Sequence, residues 1–165
     1  MSIKLPNVEA ILAVDSNYGL AKNGIIPWKS KTDMMFFKNK TINHFIIMGS
    51  KTLLSLPKAQ PLKDRTNIVI TNQKEKYSKL YNNGNLVFLD LEETLRLINS
   101  DKNSKFYVIG GNQIYNLLLP YCSTIWITKI KTNYDCDLIF NHWLTSTYTN
   151  KIIYEDTELE IMCLK

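Results

Sequence analysis

Short apolar runs recur along the chain, each ended by glycine or a polar cluster, with more amphipathic stretches between them. Val8 to Val14 (VEAILAV) is the first, closed by Asp15-Ser16-Asn17. A run of that length and composition predicts a strand buried on both faces. His44 to Met48, Asn67 to Thr71, Leu86 to Phe88, Lys105 to Ile109 and Ser123 to Ile130 repeat the pattern. Ile152 to Tyr154 and Glu160 to Leu164 predict a terminal antiparallel pair around Asp156-Thr157-Glu158. Helices are predicted from Ser30 or Thr32 to Thr41, from Ser50 to before Pro57, over Leu91 to Ile98, and from Asn112 to Leu119, where Pro120 stops it. Tyr18 to Ile26 reads as a glycine-punctuated loop whose two isoleucines need apolar cover part of the time. Pro57 to Arg65 reads as a second loop, and Asn72 to Asn85 as a polar surface excursion. Strands alternating with helices, then strands alone, predict an α/β single domain. Its eight-stranded sheet is mostly parallel, with an antiparallel C-terminal edge.

Composition narrows the function classes without choosing one. At 165 residues the chain has the size of one domain, 1–165, with enough length for a substantial core. Twenty basic against fifteen acidic side chains give +5, which favours anionic partners. The basic residues are scattered, so no nucleic-acid tail is expected. Cys122, Cys136 and Cys163 show neither CxxC spacing nor a histidine pair, so no metal site is expected and a reducing compartment is. No apolar run reaches the ~20 residues of a membrane helix, and no signal-peptide pattern is visible. A cytoplasmic location is the expectation.

Three places carry candidate chemistry. Asp33 sits among Met34, Phe36 and Phe37 at helical spacing, where an unsatisfied carboxylate is costly. The competing explanation is an acidic residue favoured by the helix dipole. The second place is Gly49, where a predicted strand meets Ser50-Lys51-Thr52 and a helix start. The third is Gly110-Gly111, between the strand ending at Ile109 and the helix from Asn112. Glycine at such a junction lets a ligand approach the backbone, and free N–H groups there suit phosphate. The usual GxGxxG dinucleotide string is absent.

Five strings, in order and spacing, resemble the dihydrofolate reductase family. They are Gly24-Ile25-Ile26-Pro27-Trp28, the Asp33 helix, Ile47-Met48-Gly49 with Lys51-Thr52, Arg65-Thr66-Asn67-Ile68-Val69-Ile70, and Val108-Ile109-Gly110-Gly111 with Ile114-Tyr115. The resemblance runs from about Val8 to Phe140, and the loop at Lys22-Asn23-Gly24 looks closer to eukaryote-type members. It implies four helices around the sheet and NADPH-dependent reduction of 7,8-dihydrofolate to tetrahydrofolate. It further implies Asp33, Trp28 and Thr128 as catalytic residues, with Asp33 binding the pterin edge and assisting protonation at N5. Ile11, Met34, Phe37, Leu56, Leu62, Ile109 and Tyr115 would line the substrate site, with Arg65 on the glutamate tail. Ala13 and Gly19, Leu20, Ala21, Lys22, Asn23, Gly24 and Ile25 would face the nicotinamide. Gly49, Ser50, Lys51 and Thr52, and Gly110, Gly111, Asn112, Gln113, Ile114 and Tyr115, would hold the phosphates, with Ile109 beside them and Thr71 and Asn72 at the adenosine.

The chain departs from the family pattern at several positions. Ser50 stands where many members carry a basic residue for the 2′-phosphate, with Lys51 adjacent. Leu53 replaces a frequent tryptophan, Asp64 replaces the usual glycine before Arg65, and Asn112-Gln113 lacks a basic residue. Two other readings compete: the same fold acting on another pterin or a pyrimidine, and a non-catalytic basic RNA-binding module. The first lacks the Asp33 and Arg65 pair, and the second gives no reason to retain Asp33, Trp28, Thr128 and both glycine sites. The expected partner is a small-molecule substrate, with no membrane, no nucleic acid and a monomeric state.

Overall fold

The most apolar run becomes the middle of the sheet. In a computed structural model describing residues 3–165, β1 (Leu5–Val14) lies between two parallel neighbours, β6 (Phe106–Gly110) and β7 (Cys122–Ile130). Alternate β1 side chains face opposite sides, and both sides are covered. Val8, Ala10, Leu12 and Val14 pack with Ile98 of α4 (Leu91–Ser100) and with Ile114 and Leu118 of α5 (Asn112–Leu118). Ile11 faces the other way, into a cluster with Ile46, Met48, Leu53 and Val69. Phe36 and Phe37 of α1 (Lys31–Thr41) lie against that cluster.

The eight-stranded sheet has the order β5-β4-β3-β6-β1-β7-β10-β9. Here β3 is Phe45–Gly49, β4 is Thr66–Ile70, β5 is Leu86–Leu89, β9 is Asn150–Glu155 and β10 is Leu159–Leu164. The first six in that order run parallel, and β10 pairs antiparallel with both β7 and β9. All eight predicted strands are present.

The helices differ from the sequence expectation in one place. The excursion 72–85 contains a short helix, α3 (Lys74–Ser78), so five α-helices are described with α2 (Ser50–Ser55). A stretch with no apolar period gave no sign of it. The predicted loop at Tyr18–Ile26 is also more ordered than read. It contains β2 (Gly19–Ala21), which pairs with β8 (Leu138–Ile139). Lys22 and Ile25 then exchange both backbone hydrogen bonds across Asn23-Gly24, with φ of 51° and 77°. Two consecutive positive φ values make this a hairpin turn of the Asn-Gly kind, a signal present in the sequence.

Candidate active site

Ser30 fixes where α1 begins. Its hydroxyl accepts the Asp33 backbone N–H at 3.1 Å, so Asp33 sits in the first turn while its side chain leans toward the sheet. Burial pushes the Asp33 carboxyl above its ordinary value of 3.8, and the Thr128 hydroxyl, its side-chain partner, opposes that rise. Thr128 is 1% exposed on β7, opposite Ala13 of β1. Trp28 is buried with Ile130, Leu159 and Ile161, and its ring lies 5.7 Å from that of Tyr134. Asp33 is therefore a partly buried carboxylate with a single hydroxyl beside it, and no Lys or Arg among the described residues forms an ion pair with it. Such a group is suited to accept N–H donors from a ligand.

The apolar residues expected around the substrate converge. Ile11, Phe37, Leu56, Leu62 and Ile109 belong to one cluster. Tyr115 reaches this region from α5, and its hydroxyl donates to the Ile11 carbonyl at 3.0 Å. Burial, then the Asp33 charge, pushes its phenol well above the ordinary range, so it stays protonated. Met34 does not join the cluster: it is 66% exposed.

Arg65 lies 5.9 Å over the Phe37 ring and makes no ion pair among the described residues. Its Nε–H is buried without a partner. Burial lowers its pKa and the Asp64 charge opposes that. An orphaned guanidinium N–H beside an aromatic ring fits a carboxylate. The loop that presents Arg65 is fastened by Asn67, which belongs to the Arg65-Thr66-Asn67 string but has no role assigned from the sequence. Its side chain accepts from Leu62 N at 2.9 Å and donates to the carbonyls of Leu62, Arg65 and Asn85.

The two glycine sites lie on neighbouring parallel strands, with Met48 opposite Gly110 and Gly49 opposite Ile70. Thr71 follows directly, so the Gly49, Gly110 and Thr71 positions share the carboxyl edge of the sheet, where ligands of open α/β sheets bind. A Cβ on Gly49 would stand 3.2 Å from Ile114, and one on Gly110, at φ +114°, would stand 3.1 Å from the Tyr115 ring. A Cβ on Gly111 would lie 3.4 Å from Thr52 Oγ1. Neither α2 nor α5 has a side-chain cap on its free N–H groups, and Asn112 Oδ1 is buried without a partner. Uncapped helix starts, bare backbone and an orphaned acceptor fit a phosphorylated dinucleotide with ribose hydroxyls. Ser50 is half-buried at the α2 start, whereas Lys51, Asn72 and Gln113 are exposed.

The third set lies on the hairpin after β1. Gly19 is buried, Leu20 and Ala21 are half-buried, and Lys22, Asn23, Gly24 and Ile25 are exposed. Its foot is Asp15, fully buried, whose carboxylate accepts the N–H groups of Gly19 at 2.7 Å, Asn17 at 2.9 Å and Tyr134 at 3.0 Å. Burial alone raises this carboxyl, but those three donors and the Cys136 thiol outweigh it and hold it below the ordinary value. A Cβ on Gly19 would collide with Cys136 at 2.5 Å, so the foot of the hairpin admits only glycine. The hairpin tip is tied separately, by Asn23 N–H to Asp137 at 2.9 Å. The sequence gives no sign of the ties from Asp15 to Tyr134 and from Asp137 to Asn23, because contacts across more than a hundred residues leave no local pattern.

Comparison with known proteins identifies the family and the fold. The family model described as dihydrofolate reductase matches residues 7–159. A dihydrofolate reductase of Heliothis virescens is 33% identical over 141 residues, covering 79% of this chain and 76% of that protein. One of Ureaplasma parvum serovar 3 is 30% identical over 155 residues, covering 82% and 92%. A bifunctional dihydrofolate reductase-thymidylate synthase of Paramecium tetraurelia is 32% identical, but only 29% of its length is matched. Among solved structures, a dihydrofolate reductase from Enterococcus faecalis complexed with NADP(H) and RAB-propyl aligns with a TM-score of 0.78. That alignment covers 99% of this chain and 98% of the other, at 24% identity.

Proposed function

The chain belongs to the dihydrofolate reductase family, and we propose that Asp33 is the group through which it performs the family's reaction. That reaction reduces 7,8-dihydrofolate to 5,6,7,8-tetrahydrofolate with NADPH. The observation that supports Asp33 most is its environment: a partly buried carboxylate, raised by burial, with Thr128 as its side-chain partner. An ionised Asp33 accepts two N–H groups from the amidine-like edge of the pterin, and Thr128 shares the amino group. A protonated Asp33 is a source, through an ordered water, for the proton that must reach N5. Bound NADPH supplies the hydride that completes the reduction at C6. Trp28, in one cluster with Ala13 and Phe36, helps hold that ordered water. Ile11, Phe37, Leu56, Leu62 and Ile109 exclude water around the ring, which strengthens the charged contact.

The remaining assignments follow the same layout. Arg65 grips the glutamate tail, and its orphaned Nε–H supports a bidentate grip. Gly49 to Thr52 and Gly110 to Tyr115 hold the phosphates, Thr71 and Asn72 the adenosine, and Ala13 with Gly19 to Ile25 the nicotinamide end. Residues 1–165 form one such domain, acting as a monomer in the cytoplasm. No helix among the described residues is long and apolar enough to cross a membrane.

The test is NADPH oxidation that requires dihydrofolate and collapses in Asp33→Asn. Pure protein that binds NADPH yet turns nothing over, or an Asp33→Asn variant with unchanged turnover, overturns this proposal.

A further inference from the structure

Asp33 and Thr128 come from different elements, a helix and a strand, and something must set the distance between them. On α1, Asp33, Phe36 and Lys40 stand at i, i+3 and i+7, so they share one stripe. On β7, Trp126 and Thr128 are two residues apart and so point to the same face. The two stripes meet at Trp126. Its ring stands edge-on to Phe36 at 6.0 Å, and the Lys40 ammonium sits 3.6 Å over it.

The indole is held from the other side. Its Nε1–H donates to Glu9 Oε1 at 2.7 Å. Glu9 is a carboxylate in the middle of β1, only 7% exposed, and its other oxygen takes the Lys105 ammonium at 2.8 Å. A buried carboxylate in a strand core is expensive, and both of its oxygens are occupied. Neither the substrate nor the cofactor assignment uses Glu9, Lys105 or Trp126.

We propose that Glu9 is a positioning residue: by fixing the Trp126 indole against Phe36 and Lys40, it sets the placement of Asp33 relative to Thr128. Its influence on the reaction passes through α1 and β7, without contact with the reacting atoms. An aromatic plate locked by a charge-assisted hydrogen bond has one orientation, whereas an unbonded indole has several rotamers of similar packing. Displacements well under the size of an atom are enough to matter for a bidentate contact.

This inference rests on the functional reading above, and its test separates the two. Wild-type turnover is measured first; its absence removes that reading. Glu9 is then judged by dihydrofolate affinity in Glu9→Leu, Glu9→Gln and Trp126→Phe, read from intrinsic fluorescence and from KM. Glu9→Leu and Trp126→Phe are expected to weaken dihydrofolate binding about tenfold, with the KM for NADPH unchanged. The pH profile of kcat/KM should also shift, since it reports Asp33, whose side-chain partner is Thr128 and whose charge acts on the protonated Tyr115. Glu9→Gln keeps an acceptor for the indole and should stay near wild type. If Glu9→Leu does not fold, Trp126→Phe decides. The inference fails if the folded variants keep wild-type dihydrofolate affinity and pH profile. It also fails if both KM values move together with the melting temperature, or if Glu9→Gln behaves like Glu9→Leu.

Discussion

Asp15 and Asp33 are both acidic residues taken out of water, and they are treated in opposite ways. Asp15 ends β1 and accepts three backbone N–H groups, with the Cys136 thiol as a further partner. Asp33 begins α1 and has one hydroxyl. Burial disfavours the charge at both, but at Asp15 the donors win and the carboxyl is held low, whereas at Asp33 burial wins and the carboxyl is held high. A satisfied carboxylate is a fastener, here between the strand, the hairpin foot at Gly19 and the segment at Tyr134. An unsatisfied one is available to a ligand. Burial alone does not distinguish them; the count of donors does.

The largest effect is expected from removing the unsatisfied charge. Asp33→Asn should lower kcat/KM for dihydrofolate by about 10² to 10⁴, while NADPH binding, followed by fluorescence transfer, stays as in wild type. Asp15→Asn should show the reverse. An amide presents N–H against the backbone donors, so unfolding in urea should lose about 1–3 kcal/mol, with turnover falling only as far as the hairpin loosens. If Asp15→Asn proves as stable as wild type, the fastener reading of its three donors is wrong.

Acid and base titrations sharpen the same contrast. The Asp15 carboxyl lies below its unfolded value of 3.8. Its stabilisation is therefore present above that value and lost as pH falls through the lower folded one. The Asp33 carboxyl lies above 3.8. Its contribution is present below that value and lost as pH rises through the raised one, so the ligand-free protein is destabilised by Asp33 at neutral pH. Thermal melts across pH should then show Asp33→Asn more stable than wild type at pH 7 and equal to it in acid. Identical melting profiles for the two proteins would mean that Asp33 is as well satisfied as Asp15.

How much of this was legible in the chain depended on range. The strands were legible because burial on both faces writes itself as an unbroken apolar run, as at Val8 to Val14. Asp33 was legible because a carboxylate beside Phe36 and Phe37 breaks a local pattern, and the family resemblance then supplied Thr128 and Arg65. The fastenings were not. Asp15 meets Tyr134, Asn23 meets Asp137 and Glu9 meets Trp126, each across more than a hundred residues. The Asn-Gly turn at Asn23-Gly24 was the exception, a local signal passed over because its flanks, Lys22 and Ile25, do not alternate as strands do.

The smallest effect concerns Asp64, the departure next to Arg65, which is proposed to hold the glutamate tail. Its backbone sits at φ +60°, in the left-handed region, where glycine is free of strain and aspartate is tolerated. Its carbonyl accepts the Asn43 N–H at 2.8 Å, so the conformation is fixed by the loop. Its side chain is exposed and forms no ion pair with Arg65. Asp64→Gly should therefore leave the loop in place and change stability by less than about 1 kcal/mol. Removing the negative charge should tighten the hold of Arg65 on an anionic tail, lowering KM for dihydrofolate about two- to threefold at low salt. A pteridine lacking the glutamate should show no change, because the contacts proposed for it are with Asp33 and the apolar cluster. If both substrates respond equally, Asp64 acts on the loop and not on the charge.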